Sequence, residues 1–283
     1  MSPLNIQTIG EGSPKTLLMS GLHGNEKTGQ LVIAELLKQP LNFQGTLTIL
    51  PVANPTGFAK DIREEAVSGL DLNRQFFVND ATDNVRAISE LAKKHDYVID
   101  LHNFSTAGLI QAVSNHIGHS DHLATLFNPE VIRTSPKEAT LKPSGTLSQR
   151  LKNENVPYVL LELPKHDKVT DEQINRVITG ILRHINGCPD YREQYDSSSF
   201  GKIPKVVIRK VLSNETGLFV KNKTLLLGVS VLKDEVLGII RNPTNREESP
   251  VYSPYTGIVC EMDDYETRET NSGDILLRIG ETV

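Results

Sequence analysis

Short apolar runs alternate with amphipathic helical stretches over the first two-thirds of this 283-residue chain, and that alternation leaves few folds open. The runs TLLMSG (16–21), TLTILPV (46–52), DYVIDLH (96–102), LIQAVSN (109–115) and VPYVLLEL (156–163) have strand length. Several are apolar at consecutive positions, as strands buried on both faces are. Between them, 26–38 sets Leu31, Ile33, Ala34 and Leu37 at helical spacing, and 82–94 does the same with Val85, Ile88, Leu91 and Ala92. Thr170 and Gln173 make a capping box ahead of Ile174, Val177, Ile178, Ile181 and Leu182. Strands separated by helices predict an α/β/α domain, a sheet covered by helices on both faces.

The character changes near residue 190. Tyr191 to Gly201 is polar and Ser-rich, as a linker is. From Lys205 onward only short β-like runs follow: KVVIRKVL, GLFV, TLLLGVSV, VLGII, GIVCEM and DILLRIG, separated by Gly, Asn and Pro. They predict a small all-β domain. The expected division is a catalytic domain over 1–195 and a C-terminal all-β domain over 196–283. A chain this long buries a core without help from metals or disulfides, so a bound metal would serve chemistry rather than folding.

Composition removes several function classes. The net charge is -5 and no Lys/Arg-rich run occurs, which argues against nucleic acid and anionic membranes as partners. Aromatic residues are 5% and Trp is absent, against single-stranded nucleic acid. No apolar stretch approaches the roughly 20 residues of a spanning helix. The N-terminal MSPLNIQTIGEG has no secretory pattern, so cytoplasm is the expected compartment. Cys188 and Cys260 lie outside any CxxC spacing and read as free buried thiols.

The chemistry-bearing residues cluster at strand ends. Ser20-Gly21-Leu22-His23-Gly24-Asn25-Glu26 follows a strand and opens a helix, offering an imidazole and a carboxylate three residues apart. Both suit zinc, and Gly21 and Gly24 are expected to give the turn positive φ. Alone, H-x-x-E is a weak signal. Asp100-Leu101-His102 ends a strongly apolar strand and offers a third ligand, with Asp100 on the same face to orient a metal-bound imidazole. A core Asp–His hydrogen bond is the other reading of that pair. His23, Glu26 and His102 together leave one position open for water, the donor count of a catalytic zinc.

Glu162, a carboxylate in the apolar run Val-Leu-Leu-Glu-Leu, is the candidate general base, since desolvation there would raise its pKa; a core Glu–Lys pair is the plainer reading. Asn73 and Arg74, in Asp71-Leu72-Asn73-Arg74, can grip a substrate carboxylate, and Arg63 can polarise the scissile carbonyl. Taken singly, either arginine also reads as a surface charge. His116, His119 and His122 recur at every third residue, but Gly118 interrupts them and Ser120 reads as the N-cap of the next helix.

Taken in order, GLHGNE (21–26), NPTGF (54–58), DLNRQF (71–76), DLHN (100–103) and the Glu162 strand resemble the succinylglutamate desuccinylase/aspartoacylase family, zinc amidohydrolases related to the zinc carboxypeptidases. The resemblance spans residues 15–190. GLF (217–219), LGII (237–240) and SPYTGIV (253–259) are similar to the family's lipoyl-like C-terminal sandwich, although no Lys sits in a DK-type lipoylation turn. It implies His23, Glu26 and His102 as zinc ligands, Glu162 as the residue that activates water, Arg63 for the carbonyl, and Asn73 with Arg74 for the substrate carboxylate. Arg150 falls where a further substrate-gripping arginine is expected. Two departures bear on the substrate: Leu163-Pro164-Lys165 follows Glu162 where many relatives have Gly, and Asn103-Phe104-Ser105-Thr106 matches the aspartoacylase stretch only loosely.

The expectation is a zinc-dependent amidohydrolase, one Zn2+ per chain, that removes an acyl group from a small N-acylated amino acid or related amine by metal-activated water. A carboxypeptidase acting on peptides or cell-wall stems shares the metal motif, and a non-catalytic binding module for acylated amino acids shares the fold. The sequence leaves assembly, including a homo-oligomer, open.

Overall fold

The computed structural model describes residues 4–134, 145–187 and 203–282. The chain forms two compact units. The first contains β1 (Gln7–Glu11), β2 (Lys15–Ser20), α1 (Thr28–Leu36), β3 (Gly45–Leu50), α2 (Pro55–Lys60), α3 (Asp83–Ala92), β4 (Tyr97–Asn103), β5 (Gln111–Ser114) and α4 (Ser120–Leu126). After β6 (Val131–Arg133), which belongs to the second unit, the first resumes with α5 (Leu147–Asn153), β7 (Tyr158–Leu163) and α6 (Asp171–Gly187).

Its strands lie in the order β1-β3-β2-β4-β7-β5. β3, β2, β4 and β7 are parallel, and β1 and β5 flank them antiparallel. The consecutive apolar positions follow from burial on both faces. Leu17 and Met19 of β2 pack on one side with Val85, Ile88 and Ala92 of α3 and with Leu147 and Leu151 of α5. Leu18 packs on the other side with α1, α4 and α6. From β2 the chain crosses to β3 on one side, and β4 then takes the opposite flank of β2. The carboxyl ends of β2 and β4 therefore border the crevice where open α/β sheets bind ligands. Among the described residues, no helix is long and apolar enough to cross a membrane.

Several local expectations change. In α1 the buried face is Thr28, Gly29, Val32, Ile33 and Leu36, while Leu31 and Leu37 are exposed. The cause is Gly29, where a Cβ would stand 2.5 Å from the Ser20 Cβ; the helix rests its glycine flush on the sheet, which turns Leu31 outward. Ser120 is the first residue of α4 rather than its cap, and its Oγ accepts from the Ile117 N–H at 3.0 Å. The capping box forms as read: the Gln173 N–H donates to Thr170 Oγ1 at 3.2 Å and the Thr170 N–H to Gln173 Oε1 at 3.0 Å. The linker 191–201 and Cys188 lie outside the described residues.

The second unit takes in Thr106–Leu109, β6 and the residues from Pro204 onward. These last form β8 (Lys205–Leu212), β9 (Gly217–Lys221), β10 (Ser230–Val231), β11 (Val236–Arg241), β12 (Glu248–Tyr252), β13 (Gly257–Glu261), β14 (Thr267–Thr270) and β15 (Ile275–Thr282). One set runs β6-β8-β15-β13-β10 and a second sheet runs β12-β11-β9-β14. Phe219, Leu237 and Ile240 of the second sheet share a core with Val211, Val259 and Ile279 of the first. The run TLLLGVSV yields strand only at Ser230–Val231; its first half turns instead, with Asn222 Oδ1 accepting from the Thr224 N–H at 3.2 Å. Cys260 is a free, buried thiol.

Candidate metal centre

β2 delivers the chain into a turn that two glycines make feasible for different reasons. Gly21 has φ +66°, where other residues are strained. Gly24 lacks the positive φ expected of it and is required by proximity instead: a Cβ there would lie 2.1 Å from the carbonyl carbon of Gly57. α2 thus crosses the turn backbone to backbone. Asn54, fully buried, secures the crossing. Its Oδ1 caps α2 by accepting from the Gly57 N–H at 2.9 Å, its own N–H donates to Gly21 O at 2.9 Å, and its Nδ2 donates to Arg63 O at 3.4 Å.

The turn brings His23 and Glu26 against His102 at the end of β4. His23 Nδ1 lies 2.7 Å from Glu26 Oε1, His102 Nδ1 lies 2.9 Å from Glu26 Oε2, and the two Nδ1 atoms are 3.2 Å apart. All three residues are buried. Adjacent donors of a tetrahedral zinc site stand about 3.3 Å apart for metal–nitrogen bonds near 2.0–2.1 Å, slightly wider than the separations here, and the donor types are those zinc takes. Among the described residues this is the group of three or more such side chains that could hold a metal ion. Burial opposes charge on Glu26, but the charge and hydrogen bond of His102, joined by those of His23, outweigh it and hold the carboxyl well below the usual carboxylate range. Burial likewise opposes charge on His102, yet Asp100 and Glu26 hold its imidazole well above the usual histidine range.

The outer nitrogens face acids. His102 Nε2 donates to Asp100 Oδ2 at 3.1 Å. His23 Nε2 lies 3.3 Å from Asp71 Oδ1, without the alignment of a hydrogen bond. Asp71 also accepts from Arg63 Nε at 3.1 Å, and Arg63 Nη1 stands 3.4 Å from Glu26 Oε1. Burial pushes the Asp71 carboxyl up, while His23 and then Arg63 and Arg74 bring it well below the usual range. Glu162 is half-buried on β7, in register with His102 on one side and Gln111 on the other. Neighbouring strands are ~4.8 Å apart, so its carboxylate shares the face and level of His102.

The remaining predicted residues have partners outside the His23, Glu26 and His102 group. Asn73 is buried and its Oδ1 accepts from the Leu147 N–H at 3.0 Å, fastening the start of α5. Arg74 is exposed, with Nη1 donating to Asn73 O at 2.7 Å. Arg150, on α5, pairs with Glu154 at 2.9 Å and lies over the Phe77 ring. His116 pairs with Asp121 at 2.8 Å and is not part of the His23, Glu26 and His102 group. Asp71, Asn54 and Tyr158, whose hydroxyl donates to Asp100 Oδ2 at 2.9 Å, had no assigned role in the sequence. Asp71 was signalled by its place in the D-x-N-R run; nothing marked the Tyr158 hydroxyl within an apolar strand.

A search of curated proteins returns no match. Among solved structures, a succinylglutamate desuccinylase/aspartoacylase from Rhodobacter sphaeroides is 21% identical over 99% of this chain and 90% of its own, with TM-score 0.75. The product-bound ectoine utilization protein EutE (DoeB) from Ruegeria pomeroyi is 20% identical over 98% of this chain and 88% of its own, with TM-score 0.76. A family protein from Shewanella amazonensis, at 15% identity over 98% and 93% of the two chains, gives TM-score 0.75. These likenesses establish the fold. The succinylglutamate desuccinylase/aspartoacylase catalytic-domain family matches residues 12–187, and the chain belongs to that family.

Proposed function

We propose that this protein is a zinc-dependent amidohydrolase that releases the acyl group of a small N-acylated amino acid or related amine, with one zinc ion per chain. The family is one of hydrolases acting on acylated amino acids, which places the chain among enzymes of that class. The observation that carries the zinc reading is the convergence of two Nδ1 atoms and one carboxylate on a single buried point. His23, Glu26 and His102 would hold the ion, and three protein donors with one position left over is the count found in catalytic rather than structural zinc. Zinc in this site supplies Lewis acidity, polarising a carbonyl and acidifying water.

The chain's own residues supply the rest. Glu162, level with His102, takes the proton from the attacking water and returns it to the departing amine. Arg63, oriented by Asp71, turns its guanidinium to the oxyanion. Asn73 and Arg74, with Arg150 beyond them, hold the substrate carboxylate through charge-assisted bonds. Asp100 fixes the ring of His102. We further assign 1–195 to catalysis, 196–283 to a small lipoyl-like all-β sandwich, and the protein to the cytoplasm.

The test is zinc content, and hydrolysis of a panel of N-acyl amino acids and short peptides, in wild type and Glu162→Ala. One zinc per chain in both, with N-acyl amino acid turnover lost only in the variant, is expected. Turnover confined to peptides would make the enzyme a carboxypeptidase; no zinc and no turnover would leave a binding module.

A further inference from the structure

Asp100, which holds the outer nitrogen of His102, is itself held from the next strand. It is fully buried, and both its hydrogen bonds fall on one oxygen: Oδ2 accepts from His102 Nε2 at 3.1 Å and from the Tyr158 hydroxyl at 2.9 Å. Oδ1 has no hydrogen-bond partner among the described residues. Tyr158 is equally buried, on β7, and its ring packs among Leu17, Met19 and Val98. Packing alone would be served by Phe, because burying a tyrosine hydroxyl without need of it carries a desolvation cost. The hydroxyl is spent on the carboxylate that holds the outer nitrogen of His102.

We infer that Tyr158 is a positioning residue for metal binding, acting through Asp100 to fix the ring orientation in which His102 presents Nδ1. The inference rests on the zinc reading above. His102 Nε2 donates to Asp100 Oδ2, and this leaves Nδ1 as the ring nitrogen that faces Glu26 and His23. Keeping that arrangement requires the carboxylate to stay put. With Tyr158 gone, the buried carboxylate retains a single donor and is free to rotate away from His102. Outer partners of ligating histidines are worth roughly 10–100-fold in metal affinity.

The experiment measures the zinc dissociation constant by chelator competition, and melting of the metal-free protein, for wild type, Tyr158→Phe, Asp100→Asn, the double variant and Thr16→Val. Thr16→Val removes a buried hydrogen bond to His184, 2.8 Å long, at the end of β2 away from the His23 turn, and so reports what losing any buried bond does. Tyr158→Phe should weaken zinc about tenfold or more, while Thr16→Val lowers the metal-free melting temperature and leaves zinc affinity unchanged. The double variant should bind no worse than Asp100→Asn alone, because Tyr158 acts only through Asp100. Zinc affinity within twofold of wild type in Tyr158→Phe, an equal loss in Thr16→Val, or additive losses in the double variant would overturn the inference. Wild type that takes up no zinc would remove the functional reading itself, and the inference with it.

Discussion

The crossing of α2 over the His23 turn has a measurable consequence in Gly24→Ala. The added Cβ would sit 2.1 Å from the Gly57 carbonyl carbon and 2.3 Å from the Phe58 nitrogen, both backbone atoms. Ordinary contact begins near 3.4 Å, so turn and helix must part by about 1.3 Å. No rotamer change relieves this. Overpacking of this kind costs about 1–3 kcal/mol. The separation also stretches the bond from the Gly24 N–H to Arg63 O, 3.3 Å long, and that from Asn54 Nδ2 to the same oxygen, at about 1 kcal/mol each. The expected loss is about 3–5 kcal/mol in urea unfolding. Because His23, Glu26 and Arg63 ride on the parted segments, turnover of the zinc-loaded enzyme should fall about 100-fold, the usual effect of a 1 Å misplacement. Gly12→Ala is the control: φ there is +85° and nothing lies within 4 Å, so only backbone strain of about 1–2 kcal/mol is added and activity should be kept. Gly24→Ala with wild-type stability and turnover would refute the claim that close backbone approach, rather than turn conformation, demands glycine.

Three further outcomes follow from named groups. Arg63→Ala should lower kcat for an N-acyl amino acid by roughly 100- to 1,000-fold with zinc content unchanged; a rise in KM alone would assign Arg63 to ground-state binding instead. Burial pushes the His184 imidazole down to about 3, below its unfolded value of 6.5. The unfolded chain therefore binds more protons between those values, and His184 removes stability as pH falls from 6.5 towards 3. His184→Gln should flatten the acid limb of stability against pH by a few kcal/mol, and an unchanged slope would contradict this. Burial pushes the Cys260 thiol up to about 12, leaving roughly one thiolate in ten thousand at pH 8. In a Cys188→Ser background its reaction with a thiol reagent should track unfolding, and prompt labelling of the native protein would count against it.

What the sequence disclosed and what it hid divide along physical lines. The parallel strands β2, β4 and β7 were legible because burial on both faces leaves uninterrupted apolar runs, and a charged pair at the end of such a run stands out. β1, β12 and β14 were not read as strands. Each ends its sheet in the order of described strands, where one face and one edge meet solvent and a residue such as Pro250 is tolerated. The apolar face of α1 was misread because periodicity marks leucines, whereas a glycine set the rotation of the helix. The same limit applies at the metal centre. His23, Glu26 and His102 are chemically conspicuous residues at strand ends, so they can be nominated one by one. Asp71 and Asn54 act through Arg63, eight and nine residues away, and Tyr158 acts through Asp100, a pairing that exists only once β4 and β7 lie side by side. A tyrosine in an apolar strand has the same pattern value as a phenylalanine; its oxygen acquires meaning from Asp100, 58 residues earlier in the chain. The candidate metal donors are thus a property of local sequence, while the network around them is a property of the fold.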